Sequence, residues 1–173
     1  MREKQMISAL VHNHPGVLLR VAGLFSRRGF NIESLTVSET QDPAYSRMTI
    51  VISGDNDTAE QVKRQLEKVV DVKKVAHYEM SGASCSELLL VKVNALPEER
   101  ATIYKIAASY RARVLDVGQN SMTLEATGED DSLNELIHHL QKQGILEMAR
   151  TGFTALQKGD ACLMPAEQDS LEL

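Results

Sequence analysis

Apolar positions along the chain switch between two periods, and the switching runs through twice. Lys4–His12 is mostly apolar with β-branched members and predicts a strand. His12-Asn-His-Pro-Gly16 is a turn cluster, with Pro15 suited to be the first residue of a helix because a missing N–H costs nothing there. Val17, Leu18, Val21, Leu24 and Phe25 then fall on one helical face. Gly29 should end that helix, with Arg27 and Arg28 in its last turn and apolar Phe30 behind it. Residues 31–40 alternate as a second strand, Asp42-Pro43 marks a turn, and Met48–Ile52 is a third strand. A helix over 57–70 presents Ala59, Val62, Leu66 and Val69/Val70 on one side, and Val72–Tyr78 closes the set. The order βαββαβ in about eighty residues is the ferredoxin-like plan.

After the small-residue stretch Gly82-Ala-Ser-Cys-Ser86 the order recurs. Strands are predicted at Leu88–Val93, Val114–Val117, Met122–Ala126 and Ile145–Ala155. Helices are predicted from Pro97, with Glu98 and Glu99 in the first turn, and after Glu129-Asp-Asp131 through Leu140 to Gly144. The reading is therefore α+β, with two ferredoxin-like βαββαβ units: a first domain at 1–80, a linker at 81–86, a second domain at 87–159 and a disordered acidic tail at 160–173. The duplication is one of pattern, without an evident residue-level repeat.

Composition narrows the function. Of 173 residues, 43% are hydrophobic, enough for a core. The formal charge is −5, but residues 160–173 alone carry −4, so the folded part is close to neutral. No basic face is visible, and there are only three Phe, four Tyr and no Trp. Both facts weigh against a nucleic-acid reader. The apolar runs are too short to span a membrane, the N-terminus does not read as a signal peptide, and Cys85 and Cys162 form no CxxC. A reduced, cytoplasmic protein is expected.

No nucleophile elbow, phosphate loop, dinucleotide fingerprint or zinc-protease motif occurs. His12 and His14 lack a third ligand nearby, and neither a metal site nor a catalytic set assembles from the sequence. The informative segment is Asn13-His-Pro-Gly-Val-Leu18. A helix start offers unpaired N–H groups and partial positive charge, which suit a carboxylate. Gly16 lets a small anion approach the backbone, and Asn13 can donate and accept at once. Together with an apolar wall, these are what a free amino acid requires. The alternative makes Asn13 a part of the helix cap.

The run Ala9-Leu-Val-His-Asn-His-Pro-Gly-Val-Leu-Leu-Arg-Val-Ala-Gly-Leu-Phe-Ser-Arg-Arg-Gly-Phe-Asn-Ile-Glu-Ser-Leu-Thr-Val37 resembles the small regulatory subunits of acetohydroxyacid synthase (acetolactate synthase). Ser46–Ile50 and Leu66–Val75 extend the likeness, and Leu90–Val93, Val114–Val117 and Ala149–Gly152 carry it more thinly into the second half. The resemblance implies that the first unit is an ACT domain and that the chain has no catalytic activity of its own. It implies a homodimer that joins a larger catalytic subunit carrying thiamine diphosphate, magnesium and FAD, raises its activity and makes it sensitive to valine or another branched-chain amino acid. The implied effector site lies between two chains. Asn13, Pro15, Gly16, Val17 and Leu18 come from one, and Asn31 and Ile32 from the other. A stand-alone amino-acid-sensing ACT regulator is the competing expectation. The hairpin tip around Gln41–Arg47 is a candidate contact for the catalytic subunit, since a tip projecting from a sheet is free to reach a partner.

Overall fold

A computed structural model describes residues 4–164. They form two units. The first runs to Ser84 and includes the segment from Phe153 onward, and the second is Cys85–Gly152.

In the first unit the elements are β1 (Lys4–His12), α1 (Val17–Arg28), β2 (Ile32–Glu39), β3 (Tyr45–Ser53), α2 (Asn56–Leu66) and β4 (Val72–Tyr78). The sheet is antiparallel, in the order β2-β3-β1-β4. Odd residues of β1, namely Ile7, Ala9 and Val11, join Ile50 and Ile52 of β3 and the apolar faces of α1 and α2 in one core. Strand alternation sends Met6, Ser8 and Leu10 to the opposite face, yet these too are buried.

The cover for that second face comes from the C-terminal segment. The Phe153 N–H donates to Ser34 Oγ on β2, 3.2 Å away. Lys74 on β4 donates from Nζ to the Cys162 carbonyl, 2.9 Å away. Since β2 and β4 are the two sheet edges, residues 153–162 reach from one edge of the sheet to the other. Phe153, Ala155 and Leu163 are buried, and the Lys4 ammonium stands 5.9 Å from the Phe153 ring centre. The short strand β9 (Thr154–Gln157) lies in this segment, and Lys158 beyond it donates its N–H to Gly82 and its Nζ to Ser81.

The second unit contains β5 (Ala83–Asn94), whose first two residues still belong to the first unit, then α3 (Arg100–Ser109), β6 (Arg113–Val117), β7 (Ser121–Gly128), α4 (Asp130–Leu140) and β8 (Ile145–Arg150). Its sheet order, β6-β7-β5-β8, repeats that of the first unit. Leu89, Val91 and Val93 pack with Met122, Leu124, Ile103, Leu133 and Leu136. Arg150 ties β8 to Glu87 of β5 and to Asp130 and Asn134 of α4.

Several boundaries differ from the sequence reading. The linker 81–86 is a 3-10 turn (Met80–Gly82) followed at once by β5, because small Ala83 packs inward. The expected strand 145–155 is two strands, parted at Gly152, whose φ of 83° an extended strand does not hold. Residues 153–159 therefore belong to the first unit, not the second. The expected disordered tail begins too early at 160: Cys162 and Leu163 are packed down by one hydrogen bond and one buried side chain. Residues 165–173 of that tail lie outside the described residues. Helix α2 stops at Leu66 rather than 70, and Val70 is exposed.

Candidate effector site

The turn after β1 is held from three directions. The His12 N–H donates to the Asp71 carbonyl at 2.9 Å, and the Asn13 N–H donates to the Ala44 carbonyl at 2.8 Å. Asn13 also donates from Nδ2 to the Pro43 carbonyl at 3.0 Å. The buried carboxylate of Asp71 accepts from His14 Nε2 at 3.0 Å and from the Arg20 guanidinium. One buried acid thus ties the turn to the third residue after the helix start. Pro15 is not the first helical residue, as the sequence suggested. Gly16 intervenes at φ 90°, a left-handed conformation, and the helix begins at Val17. A Cβ on Gly16 would meet nothing within 4 Å, so the space above this turn is open.

The start of α1 is left unfilled. It has no side-chain cap and no acidic residue in its first turn, while its last turn carries Arg27 and Arg28. Helix α2 is the contrast. Asp55 accepts from the Thr58 N–H at 2.8 Å and from the Thr58 hydroxyl, and these bonds hold its carboxyl below the usual carboxylate range. Val17 points into the core, whereas Leu18 is about half exposed (46%) beside the open turn. Donor groups and an apolar surface therefore occur together at one helix start.

Asn31 and Ile32 sit at the other end of the same helix. With twelve residues, α1 spans roughly 18 Å. Asn31 is exposed and makes no side-chain hydrogen bond among the described residues; Ile32 packs partly against the core. Asn31 lines a cleft of about 340 Å³ with Gly29, Phe30, Glu33, Ile52, Ser53 and Thr58. Within one chain, then, Asn13, Pro15, Gly16, Val17 and Leu18 come together and Asn31 and Ile32 do not join them.

Sequence reasoning missed Asp71, Arg20 and the β2–β3 loop as supports of the turn. Asp71 lies 57 positions from His14, and no periodicity connects them. The hairpin tip is tied to the turn through the Pro43 and Ala44 carbonyls, which accept from Asn13, while Gln41, Pro43 and Ala44 stay exposed. Among the described residues no group of three or more His, Cys, Asp or Glu is placed to hold a metal, and no helix is long and apolar enough to cross a membrane.

Comparison with known proteins bears on both units. A family model described as an AHAS small subunit-like ACT domain matches residues 7–74, and one described as the small subunit of acetolactate synthase matches 86–159. A probable acetolactate synthase small subunit of Archaeoglobus fulgidus is 46% identical over 157 residues, covering 91% of this chain and 98% of that protein. The acetolactate synthase small subunit of Mycobacterium leprae is 44% identical, covering 88% and 90%. The crystal structure of the acetolactate synthase small subunit from Thermotoga maritima superposes with a TM-score of 0.85 at 37% identity, over 92% of this chain and 99% of that one.

Proposed function

Because this chain belongs to the acetolactate synthase small-subunit family, we propose that it is the regulatory subunit of such an enzyme, activating a larger catalytic subunit and making it sensitive to feedback inhibition by valine or another branched-chain amino acid. In this reading thiamine diphosphate, magnesium and FAD reside on the partner, in the cytoplasm, and the present chain contributes binding and coupling only.

The observation that carries the reading is the unfilled start of α1 beside Gly16. The carboxylate of an amino acid would accept from its free N–H groups and sit favourably in the helix dipole. Leu18 would take part of the aliphatic side chain, and Asn13 keeps its Oδ1 available while Nδ2 holds Pro43.

A site that also uses Asn31 and Ile32 needs a second chain, since about 18 Å of helix separates the two groups. Strand β2 is an edge of the sheet. Two copies pairing antiparallel along β2 would set the Ile32 end of one strand beside the Glu39 end of the other. The Glu39 end is the one adjacent to the β2–β3 loop that Asn13 holds, so the turn of one chain would meet Asn31 of the other. Effector binding would then favour one arrangement of the dimer, and a preference of about 1–3 kcal/mol suffices for regulation. Asn13, bonded to the β2–β3 loop, is a route by which an occupied turn would alter that loop.

Purification from native extract with the full chain as bait tests the reading. A thiamine-dependent acetolactate synthase should co-purify, turn over faster with the chain than without it, and slow when valine is added. A chain that binds valine yet recovers no such enzyme would instead be a stand-alone amino-acid sensor.

A further inference from the structure

The effector site proposed above accounts for a carboxylate and an aliphatic side chain, but an amino acid also carries an ammonium group. Amides and carbonyls can accept its hydrogen bonds, and a carboxylate adds the attraction of opposite charge. One acid stands where it is needed. Glu33 lines the same cleft as Asn31, and among the described residues it makes no hydrogen bond or ion pair. Its placement is not that of an ordinary strand residue. Ile32 pairs with Ile52 and Ser34 with Val51, so Glu33 is the extra residue of a β-bulge. Bulges re-aim side chains and recur beside functional sites.

The second unit offers a comparison. Strand β6 is the counterpart of β2, but its register shifts elsewhere: the shift at Leu115 lies opposite Leu124 and Thr123, the counterparts of Met48 and Arg47 near the hairpin, whereas the shift at Glu33 lies opposite Ile52 and Val51 at the other end of the strand pair. The bulge at Glu33 is therefore a feature of the first unit that the second does not repeat at that place.

We propose that Glu33 is the specificity-determining acid of the effector site, taking the ammonium of a bound amino acid whose carboxylate lies on the α1 start of the paired chain. This rests on the two-chain site of the preceding section. It also explains a division of charge: α1 begins without any acid, where one would repel the ligand carboxylate, and Glu33 comes from the other side.

The test compares valine with (S)-2-hydroxy-3-methylbutanoate, which keeps the carboxylate and isopropyl group and replaces ammonium by hydroxyl. Both are titrated calorimetrically into the full dimeric chain, wild type, Glu33→Gln and Gly16→Asp. Wild type should prefer valine by about 10- to 100-fold, as expected when a charge-assisted bond is lost. Glu33→Gln should weaken valine by a similar factor, leave the hydroxy acid within about 3-fold, and so erase the preference. Unchanged valine affinity in Glu33→Gln, or equal weakening of both ligands, overturns the assignment; the second result would make Glu33 a packing or interface residue. If Gly16→Asp abolishes binding while Glu33→Gln does not alter it, the site stands and this inference fails. If neither variant alters valine binding, the site itself is misplaced.

Discussion

The turn after β1 and the turn after β5 occupy the same place in two copies of one topology, and their backbones are held alike. His12 and Asn13 donate to Asp71 and Ala44; Asn94 and Ala95 donate to Gly144 and Asn120. The side chains then diverge. The residue at the helix start is Gly16 in the first unit and Glu99 in the second. Glu99 folds back to accept from the Leu96 N–H at 3.1 Å. Arg100 beside it fills the neighbouring loop, donating to the Ala95, Gly118 and Gln119 carbonyls. These side chains serve the loops around the second turn, although α3, like α1, has no side-chain cap. The first is anchored from below by Asp71 and left open above. Neither start is capped by a side chain; what sets the first apart is the glycine at its cap position, where a Cβ would meet nothing within 4 Å.

The variant expected to break this contrast most completely is Gly16→Asp. Nothing lies within 4 Å of the position, and Asp tolerates left-handed φ better than most residues, so the turn should still form. The new carboxylate would occupy the place of the ligand's own. Valine affinity should fall by more than about 100-fold, or roughly 3 kcal/mol. Mixed dimers of Gly16→Asp and Asn31→Ala chains should recover one working site, and an inhibition assay on them that shows no recovery would contradict the two-chain arrangement.

An effect of similar size, on stability rather than on binding, is expected of Phe153→Ala. This residue covers the sheet face opposite the helices of the first unit, and removing a buried phenyl ring costs about 3–5 kcal/mol. Thermal unfolding should show an early loss of the first unit. If the melting curve were unchanged, the assignment of the C-terminal segment as its cover would be wrong.

A smaller effect is expected from Asp71→Asn. The amide keeps the shape but loses two charge-assisted bonds to half-exposed partners, His14 and Arg20, a cost of about 1 kcal/mol. Valine affinity should drop by about 5- to 10-fold, because the turn loses its anchor. An equal loss of stability with unaltered affinity would show that Asp71 serves the fold alone.

The smallest effects should come from the residues at the starts of α3 and α2. Glu99→Gln should leave valine affinity unaltered. Asp55→Ala should lower stability slightly and leave binding alone. Because the folded-state pKa of Asp55 is depressed, its contribution is present above the unfolded carboxylate range near pH 4 and is lost as pH falls through the lower folded value. Wild type and Asp55→Ala should therefore converge in stability at low pH.

Much of the contrast was legible in the sequence, for reasons that are local. Gly29 with Arg27, Arg28 and Phe30 announced the end of α1, and the Gly29 cap accordingly has left-handed φ and N–H groups turned back to Phe25 and Ser26. The strands β1 and β4 were readable to the residue because their apolar runs end at turn signals. What escaped was long-range or carried by single side chains. Val69 and Val70 continue the helical period of α2 beyond its end, so pattern alone overran it. Leu163 is one apolar residue in an acidic stretch and gives no period at all. Asp71 reads as a turn residue until the fold brings it to His14 and Arg20. The Glu33 bulge is visible only as a register shift between paired strands.

The central claim is that the open start of α1 receives a free amino acid. Calorimetric titration of valine, leucine and isoleucine into the purified full chain and its Gly16→Asp variant tests it most directly. Saturable binding of a branched-chain amino acid to wild type, and none to the variant, is the predicted result. Equal binding by both chains, or no binding of any of the three to wild type, would contradict it.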